Sequence, residues 1–423
     1  MVNWKQEELL EQTKSYKISK YKLWEAYKLV ARNGGSAGID GMSLEKLKDR
    51  ENDILYRLWN RMSSGSYFPE PVKRVEIPKK SGGTRPLGIP TVLDRIAQMT
   101  ARLYFEPMLE PNFHPDSYGY RPNKSAHDAV GLTRQRCWKY DWVIDLDIKG
   151  FFDNIDHELL LKAVDFHSPP DWVRLYIERW LKVPAIDSDG AVIAREKGTP
   201  QGGVISPLLA NLFLHYAFDQ WMKSKHSGNP FERYADDLVI HCHSYEEAEL
   251  LLEEIKVRLA ACQLTVHPDK TKIVYCKDEN RVEEHNQTQF DFLGFTFRPR
   301  LAKNRKGQFF VSFSPAISKK AEVAIKETIR SWQIPTKVGH DIERLGADYN
   351  SRIRGWLNYY GKFRKSAMGG ICKMFQKCIV KWAKNKYRRL RTSWRKAYRW
   401  LTALAQSRPA HFVHWQWGFC LYD

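Results

Sequence analysis

Phe231-Glu232-Arg233-Tyr234-Ala235-Asp236-Asp237-Leu238-Val239-Ile240 sets two adjacent carboxylates at a turn, between a segment opened by Phe231 and the apolar run Leu238–Ile240. The pattern predicts strand, tight turn, strand. Like charges this close resist joint ionisation unless a cation compensates. A divalent ion is the simplest compensation, and oxygen donors favour Mg²⁺. An exposed acidic turn would give the same string, so the reading needs a second carboxylate site.

That site stands upstream, in Trp142-Val143-Ile144-Asp145-Leu146-Asp147-Ile148-Lys149-Gly150-Phe151-Phe152-Asp153. Trp142–Ile148 reads as a strand, on which Asp145 and Asp147 share a face. An acid on an otherwise apolar strand is costly without a partner. If this strand pairs beside the 234–237 turn, the carboxylates converge and can hold two Mg²⁺. Such a pair can activate a 3′-hydroxyl and stabilise a leaving pyrophosphate.

Around these two stretches the chain divides by pattern. Residues 1–60 read as mostly helical, with a break at Asn33-Gly34-Gly35 and a turn at Gly38-Ile39-Asp40-Gly41. Val72–Ile77 and Arg85–Ile89 predict two strands of a basic hairpin around Lys79-Lys80-Ser81-Gly82-Gly83. Helices are expected over 91–110, 156–164, 206–222 and 245–262, with short strands near Leu264 and Phe290. Strands interleaved with helices imply an α+β or α/β domain. Beyond about residue 315 the signals are helical. The polar, basic stretch Arg298–Ser314 reads as the place where the mixed and helical parts meet.

The net charge of +19 points to a polyanionic partner. Residues 351–423 hold 17 Lys and Arg and one acid, Asp423, interleaved with Trp356, Trp382, Trp394, Trp400, Trp415 and Trp417. Aromatics among cations suit phosphates and bases, although each tryptophan alone could equally be core. The seven cysteines are scattered without a CxxC pair, which argues against a zinc site or disulfide framework. His241-Cys242-His243 reads as strand, its residues facing alternate sides. No apolar run is long enough for a membrane helix, and the polar start is not a signal peptide, so the expected location is cytoplasmic.

Asp147 followed by the aromatic Phe152, then the Tyr234–Asp237 turn, resembles the palm of reverse transcriptases. Between them, Gly198-Thr199-Pro200-Gln201-Gly202-Gly203-Val204-Ile205-Ser206-Pro207-Leu208-Leu209-Ala210-Asn211 looks like the third palm motif of the group II intron branch. Arg74–Pro90 resembles the fingers motif of the same family. Ser117-Tyr118-Gly119-Tyr120-Arg121-Pro122-Asn123-Lys124-Ser125-Ala126-His127-Asp128-Ala129 resembles a further fingers segment, shared by group II intron proteins. Arg354-Gly355-Trp356-Leu357-Asn358-Tyr359-Tyr360-Gly361 resembles the thumb, or maturase (X), region. The similarity spans roughly residues 30–400.

The resemblance implies a right-hand polymerase of α+β class with reverse-transcriptase fingers and palm, followed by an all-α thumb/maturase domain. Its expected divisions are an N-terminal extension (1–60), fingers and palm (61–300), thumb/maturase (301–390) and a basic aromatic tail (391–423). Asp147 and Asp236 would be the main metal ligands, with the Ile148 carbonyl adding an oxygen and Asp237 completing the cluster around two Mg²⁺. Asp145 would not be catalytic. Phe152 would sit where a 2′-hydroxyl would project and exclude ribonucleotides by steric clash. Gln201 and Gly202 would lie against the incoming nucleotide. Lys79 and Arg85 would grip its triphosphate. Lys270 matches the family's general acid for pyrophosphate departure, with Lys272 close enough to compete for the role. Phe290–Phe295 would hold the primer end.

The implied substrates are dNTPs and an RNA template with a DNA primer. The implied partners are the group II intron RNA, whose splicing and mobility the protein would assist, and target DNA; none is a membrane. A nucleoid-associated place in the bacterial cytoplasm follows. The His/Cys-rich endonuclease domain of many group II intron proteins has no counterpart in the sequence, which suggests the class without it and a primer made elsewhere. Two other readings remain open: a splicing factor whose polymerase is incidental, and a related reverse transcriptase recruited to phage defence or gene diversification.

Overall fold

The computed structural model describes residues 14–78, 84–304 and 306–419. Its strands are β1 (Val72–Pro78), β2 (Thr84–Ile89), β3 (Trp142–Asp147), β4 (Ala185–Ile186), β5 (Val192–Ile193), β6 (Phe231–Tyr234), β7 (Asp237–Cys242), β8 (Lys272–Tyr275), β9 (Phe290–Phe292), β10 (Phe295–Lys303) and β11 (Phe309–Ile317). The chain forms two compact units. The first takes residues 1–125, 144–240 and 246–272, and the second takes 126–143, 241–245 and 273–423.

In the first unit the expected basic hairpin is present. β1 and β2 pair antiparallel, Arg74 opposite Gly88 and Ile77 opposite Arg85. β4 joins β1 in parallel. β6 and β7 form the hairpin of the carboxylate turn, Tyr234 opposite Asp237, and β3 is the next strand after β7. Helices predicted from periodicity appear at Val92–Leu109, His157–Phe166, Ser206–Leu214 and Tyr245–Ala261. Thr91 and Asp156 cap two of them, each side chain accepting a backbone N–H of the first turn. The 206–222 helix differs from the expectation in one detail: it widens into a π turn over His215–Asp219. The strand expected near Leu264 is reduced to an antiparallel bridge between Ile148 and Val266, and the regular strand starts at Lys272.

The second unit joins the Ala126–Cys137 helix and the β9–β10–β11 sheet to the helices Lys319–Ser331, Ile342–Tyr360, Gly369–Lys386 and Trp394–Ser407. Its core runs from Ile317 through Leu345, Phe375 and Trp382 to Leu401, Phe412 and Trp415. The segment 298–314, expected as a polar meeting point, instead forms the arms of the β10–β11 hairpin. The buried phenylalanines of the hairpin, Phe297 and Phe313, explain why: they pack inward while Arg298, Lys303 and Lys306 are exposed and Arg300 is half-buried. Apolar residues of the basic tail belong to this core. Ala397, Leu401, Ala405, Phe412, Val413, Trp415 and Phe419 are core, and Trp332 stacks on Tyr349 and Trp356. The amphipathic period of Trp394–Ser407 drives this packing, with its cations on the other face. No described helix is long and apolar enough to cross a membrane.

Candidate active site

Just before β3 the Tyr140 ring lies 5.7 Å from His241 and 4.5 Å from His243, and the Trp142 ring, at the head of β3, lies 4.9 Å from Tyr245, just past the tail of β7. The two strands therefore run antiparallel, and Asp147, at the far end of β3, comes to the same end of the sheet as Asp236 and Asp237. His241 and Cys242 are buried strand residues, as their alternation predicted.

Around Asp147 the edge facing away from β7 is closed by the 265–267 segment. The Asp147 carbonyl accepts the His267 N–H at 2.8 Å, and Lys149 N–H donates to the Thr265 carbonyl at 2.8 Å. These bonds flank Ile148 and leave its own carbonyl directed to the opposite edge, the one β7 lines. Lys270 Nζ reaches the Asp147 carboxylate at 2.8 Å, whereas Lys272 Nζ lies 3.6 Å from Asp145. Each lysine thus has its own aspartate. Among the described residues, no three or more His, Cys, Asp or Glu side chains gather into a group that could hold a metal ion.

Phe152 is buried against Phe151, with ring centroids 5.5 Å apart. The 198–203 loop is laced to it: Thr199 N–H donates to the Phe152 carbonyl at 2.8 Å and Gly198 N–H to the Ile155 carbonyl at 2.7 Å. Gln201 Nε2 donates to Asp153 at 3.0 Å. The Gln201 carbonyl accepts the Gly88 N–H at 2.8 Å, which seats this loop on β2, the strand that carries Arg85. Gly202 has φ +124°, and a Cβ there would stand 2.4 Å from the Gly88 carbonyl oxygen. Only glycine fits that approach. Lys79 lies outside the described residues.

The turn itself rests on residues that motif spacing did not assign. Ala235 adopts φ +58°, a left-handed conformation costly for a residue with a Cβ. Its carbonyl accepts Arg233 Nη1 at 3.2 Å. Arg233 is fully buried, pairs bidentately with buried Asp219 at 2.6 and 2.7 Å, and also donates to Asn211 Oδ1 at 3.0 Å. Asn211 Nδ2 in turn donates to the Gly119 carbonyl at 2.6 Å. A Cβ on Gly119 would meet the Ala235 nitrogen at 2.5 Å, so the turn and the 117–122 segment are in direct backbone contact. Gln98 is the other unforeseen residue: its Oε1 accepts the N–H groups of Val204 and Ile205, at the start of the Ser206–Leu214 helix. The available signals were a charge in β6 and the helical repeat Asn211, His215, Asp219.

With this geometry in place, comparison with known proteins is direct. A family model for reverse transcriptase (RNA-dependent DNA polymerase) matches residues 77–297. The chain belongs to the reverse transcriptase family. A second model, the group II intron maturase-specific domain, matches residues 323–400 and sets this reverse transcriptase in the group II intron branch. Among its relatives is YkfC of Escherichia coli K12, 33% identical over 59% of this chain and 75% of that protein. Another is the group II intron-encoded protein LtrA of Lactococcus lactis, 36% identical over 45% of this chain. The aligned part is 32% of LtrA, so the match covers about a third of that relative. Among solved structures, telomerase from Candida albicans aligns with TM-score 0.45 and 12% identity, covering 86% of this chain and 66% of that one.

Proposed function

We propose that this reverse transcriptase extends a DNA primer on an RNA template, and that it assists splicing and mobility of a group II intron RNA. The observation that carries the polymerase reading is the antiparallel run of β3 and β7, with Asp147 at the same end as the 236–237 turn. The donors fit hard cations: carboxylates, plus an Ile148 carbonyl directed to the same edge. Two Mg²⁺ ions, held by Asp147, Asp236, Asp237 and that carbonyl, would supply Lewis-acid stabilisation of the attacking and leaving oxygens.

The chain's own residues do the rest. Phe152 closes the space beside the sugar, favouring dNTPs over ribonucleotides. Gln201 and Gly202 present backbone to the nucleotide, and Lys79 and Arg85 of the basic hairpin take its phosphates. Lys270, at 2.8 Å from Asp147, is better placed than Lys272 to deliver a proton to pyrophosphate. Phe290–Phe295 steadies the primer end. In this reading residues 1–60 are the extension, 61–300 fingers and palm, 301–390 thumb/maturase and 391–423 its basic continuation. The protein works in the bacterial cytoplasm, at the nucleoid, on intron RNA and target DNA.

The test is primer extension on an RNA template with Mg²⁺. Wild type extends; Asp236→Ala loses synthesis while keeping RNA affinity within about twofold, because a single carboxylate contributes little to phosphate binding. Equal extension by both proteins would remove Asp236 from the site.

A further inference from the structure

The β10–β11 hairpin falls mostly between the two matched family regions, and apart from Phe295 at its base none of its residues has a role in nucleotide addition. From Phe295 to Ile317 the sequence holds Arg298, Arg300, Lys303, Arg305 and Lys306 and no acid. Near its tip two apolar side chains face solvent, Leu301 at 56% exposure and Phe309 at 66%. Lys303 and Phe309 are directly paired across the strands, with Lys303 Nζ 5.6 Å from the Phe309 ring centroid.

Beside the hairpin, within the same unit, runs a groove of about 490 Å³ whose lining includes Arg134, Trp138, Asn280, Lys303, Ser312 and Arg364. The Arg134 guanidinium stands 4.6 Å from the Trp138 ring centroid, and its buried Nε has no hydrogen-bond partner among the described residues. The Trp138 indole N–H donates to the Phe313 carbonyl at 2.9 Å, which fixes a ring that is 44% exposed. Arg364 donates to the Leu301 carbonyl, and Arg300 to those of Thr296 and Ser314. Among the described residues, none of Arg134, Arg298, Arg300, Lys303 and Arg364 forms an ion pair with an acid. Asp278, also on the groove, is already paired with Arg281, which leaves Glu279 as the other acid of the lining. Burial and the nearby Arg298 and Arg364 push Arg300 down to about 10.

We propose that the β10–β11 hairpin and this groove bind a single-stranded stretch of RNA. Crowded cations that lack acidic partners call for a chain of phosphates. Exposed Phe309 and half-exposed Trp138 offer stacking faces that only unpaired bases can use, since a duplex keeps its bases stacked inside. Asn280, Ser312 and Ser314 add donors and acceptors suited to a ribose 2′-hydroxyl, which DNA lacks. An acidic protein segment would answer the charge but not the aromatic faces.

The experiment uses the full chain with a short unstructured RNA carrying 4-thiouridine, cross-linked by light and mapped by peptide mass spectrometry. Cross-links are expected in the peptides holding Phe309 and Trp138. The double variant Phe309→Ala/Lys303→Ala should lose them and bind the RNA about 5- to 150-fold more weakly, the range of one lost stacked base. Phe309→Tyr with Lys303 intact should restore both. Single-stranded DNA of the same sequence and an RNA duplex of the same length should cross-link to these peptides far less. Wild-type affinity and cross-linking in the double variant would overturn the proposal, as would equal labelling by DNA or by the duplex. Primer extension by the same preparations reports separately on the polymerase reading, and the double variant should retain it.

Discussion

A guanidinium without water must be met at its N–H groups, and Arg233 finds Asp219, Asn211 and the Ala235 carbonyl. The arrangement turns a buried charge into a support for the left-handed residue beside Asp236. Breaking one partner of such a pair leaves the other charged and dry, which costs about 3–5 kcal/mol, whereas replacing both by apolar groups costs far less. Arg233→Met should therefore lower unfolding stability in urea by about 3–5 kcal/mol, and Arg233→Met/Asp219→Leu should recover most of it. If the double variant is as unstable as the single, the pair is not the support. The carboxylates of the site were legible in the sequence because their spacing to Phe152 and Tyr234 is local. Arg233 was not, because its partners come from a helix and a loop that only tertiary packing brings near. The same holds for the two lysines: the string His267-Pro268-Asp269-Lys270-Thr271-Lys272 offers both, and only the fold gives Lys270 to Asp147.

Elements whose signals are periodic or turn-based came through the sequence with small shifts. The β1–β2 hairpin, the carboxylate hairpin and the capped helices are of this kind. The 298–314 segment did not, because its proline and many cations masked a strand alternation carried by Phe295, Phe297 and Phe313. The loop 198–203 was legible as a motif, yet its reason is a contact between elements: Gly202 against the Gly88 carbonyl of β2. Gly202→Ala forces both a positive φ on alanine and a carbonyl displacement, a strain of about 1–3 kcal/mol. The expected result is about a 5- to 150-fold fall in dNTP addition per unit concentration, with an unchanged melting temperature of the second unit. A normal KM for dNTP in this variant would detach the loop from nucleotide binding.

Across the whole molecule, the excess positive charge was visible in the composition, but the distribution of work was not. The tail tryptophans contribute to a core, and the same core buries His414 completely, its Nε2 2.8 Å from Gln376 Oε1. Burial pushes this imidazole from its ordinary 6.5 down to about 3. Between those two pH values the unfolded chain takes up a proton that the folded chain refuses. Stability is thus fullest above pH 6.5 and drains as pH falls, by up to about 1.4 kcal/mol per pH unit from this group. His414→Gln should flatten that part of the acid dependence in thermal melts between pH 7 and about 4. An unaltered slope would mean another group governs it. The second unit has a further consequence for how the protein comes into being. The Ala126–Cys137 helix leans on Phe295, Tyr359 and Phe363, residues made long after it. At about 5–20 residues per second, a ribosome needs on the order of 10–45 s to go from residue 137 to residue 359. For that interval a nascent helix waits with its apolar side uncovered, a natural client for a chaperone near the exit tunnel.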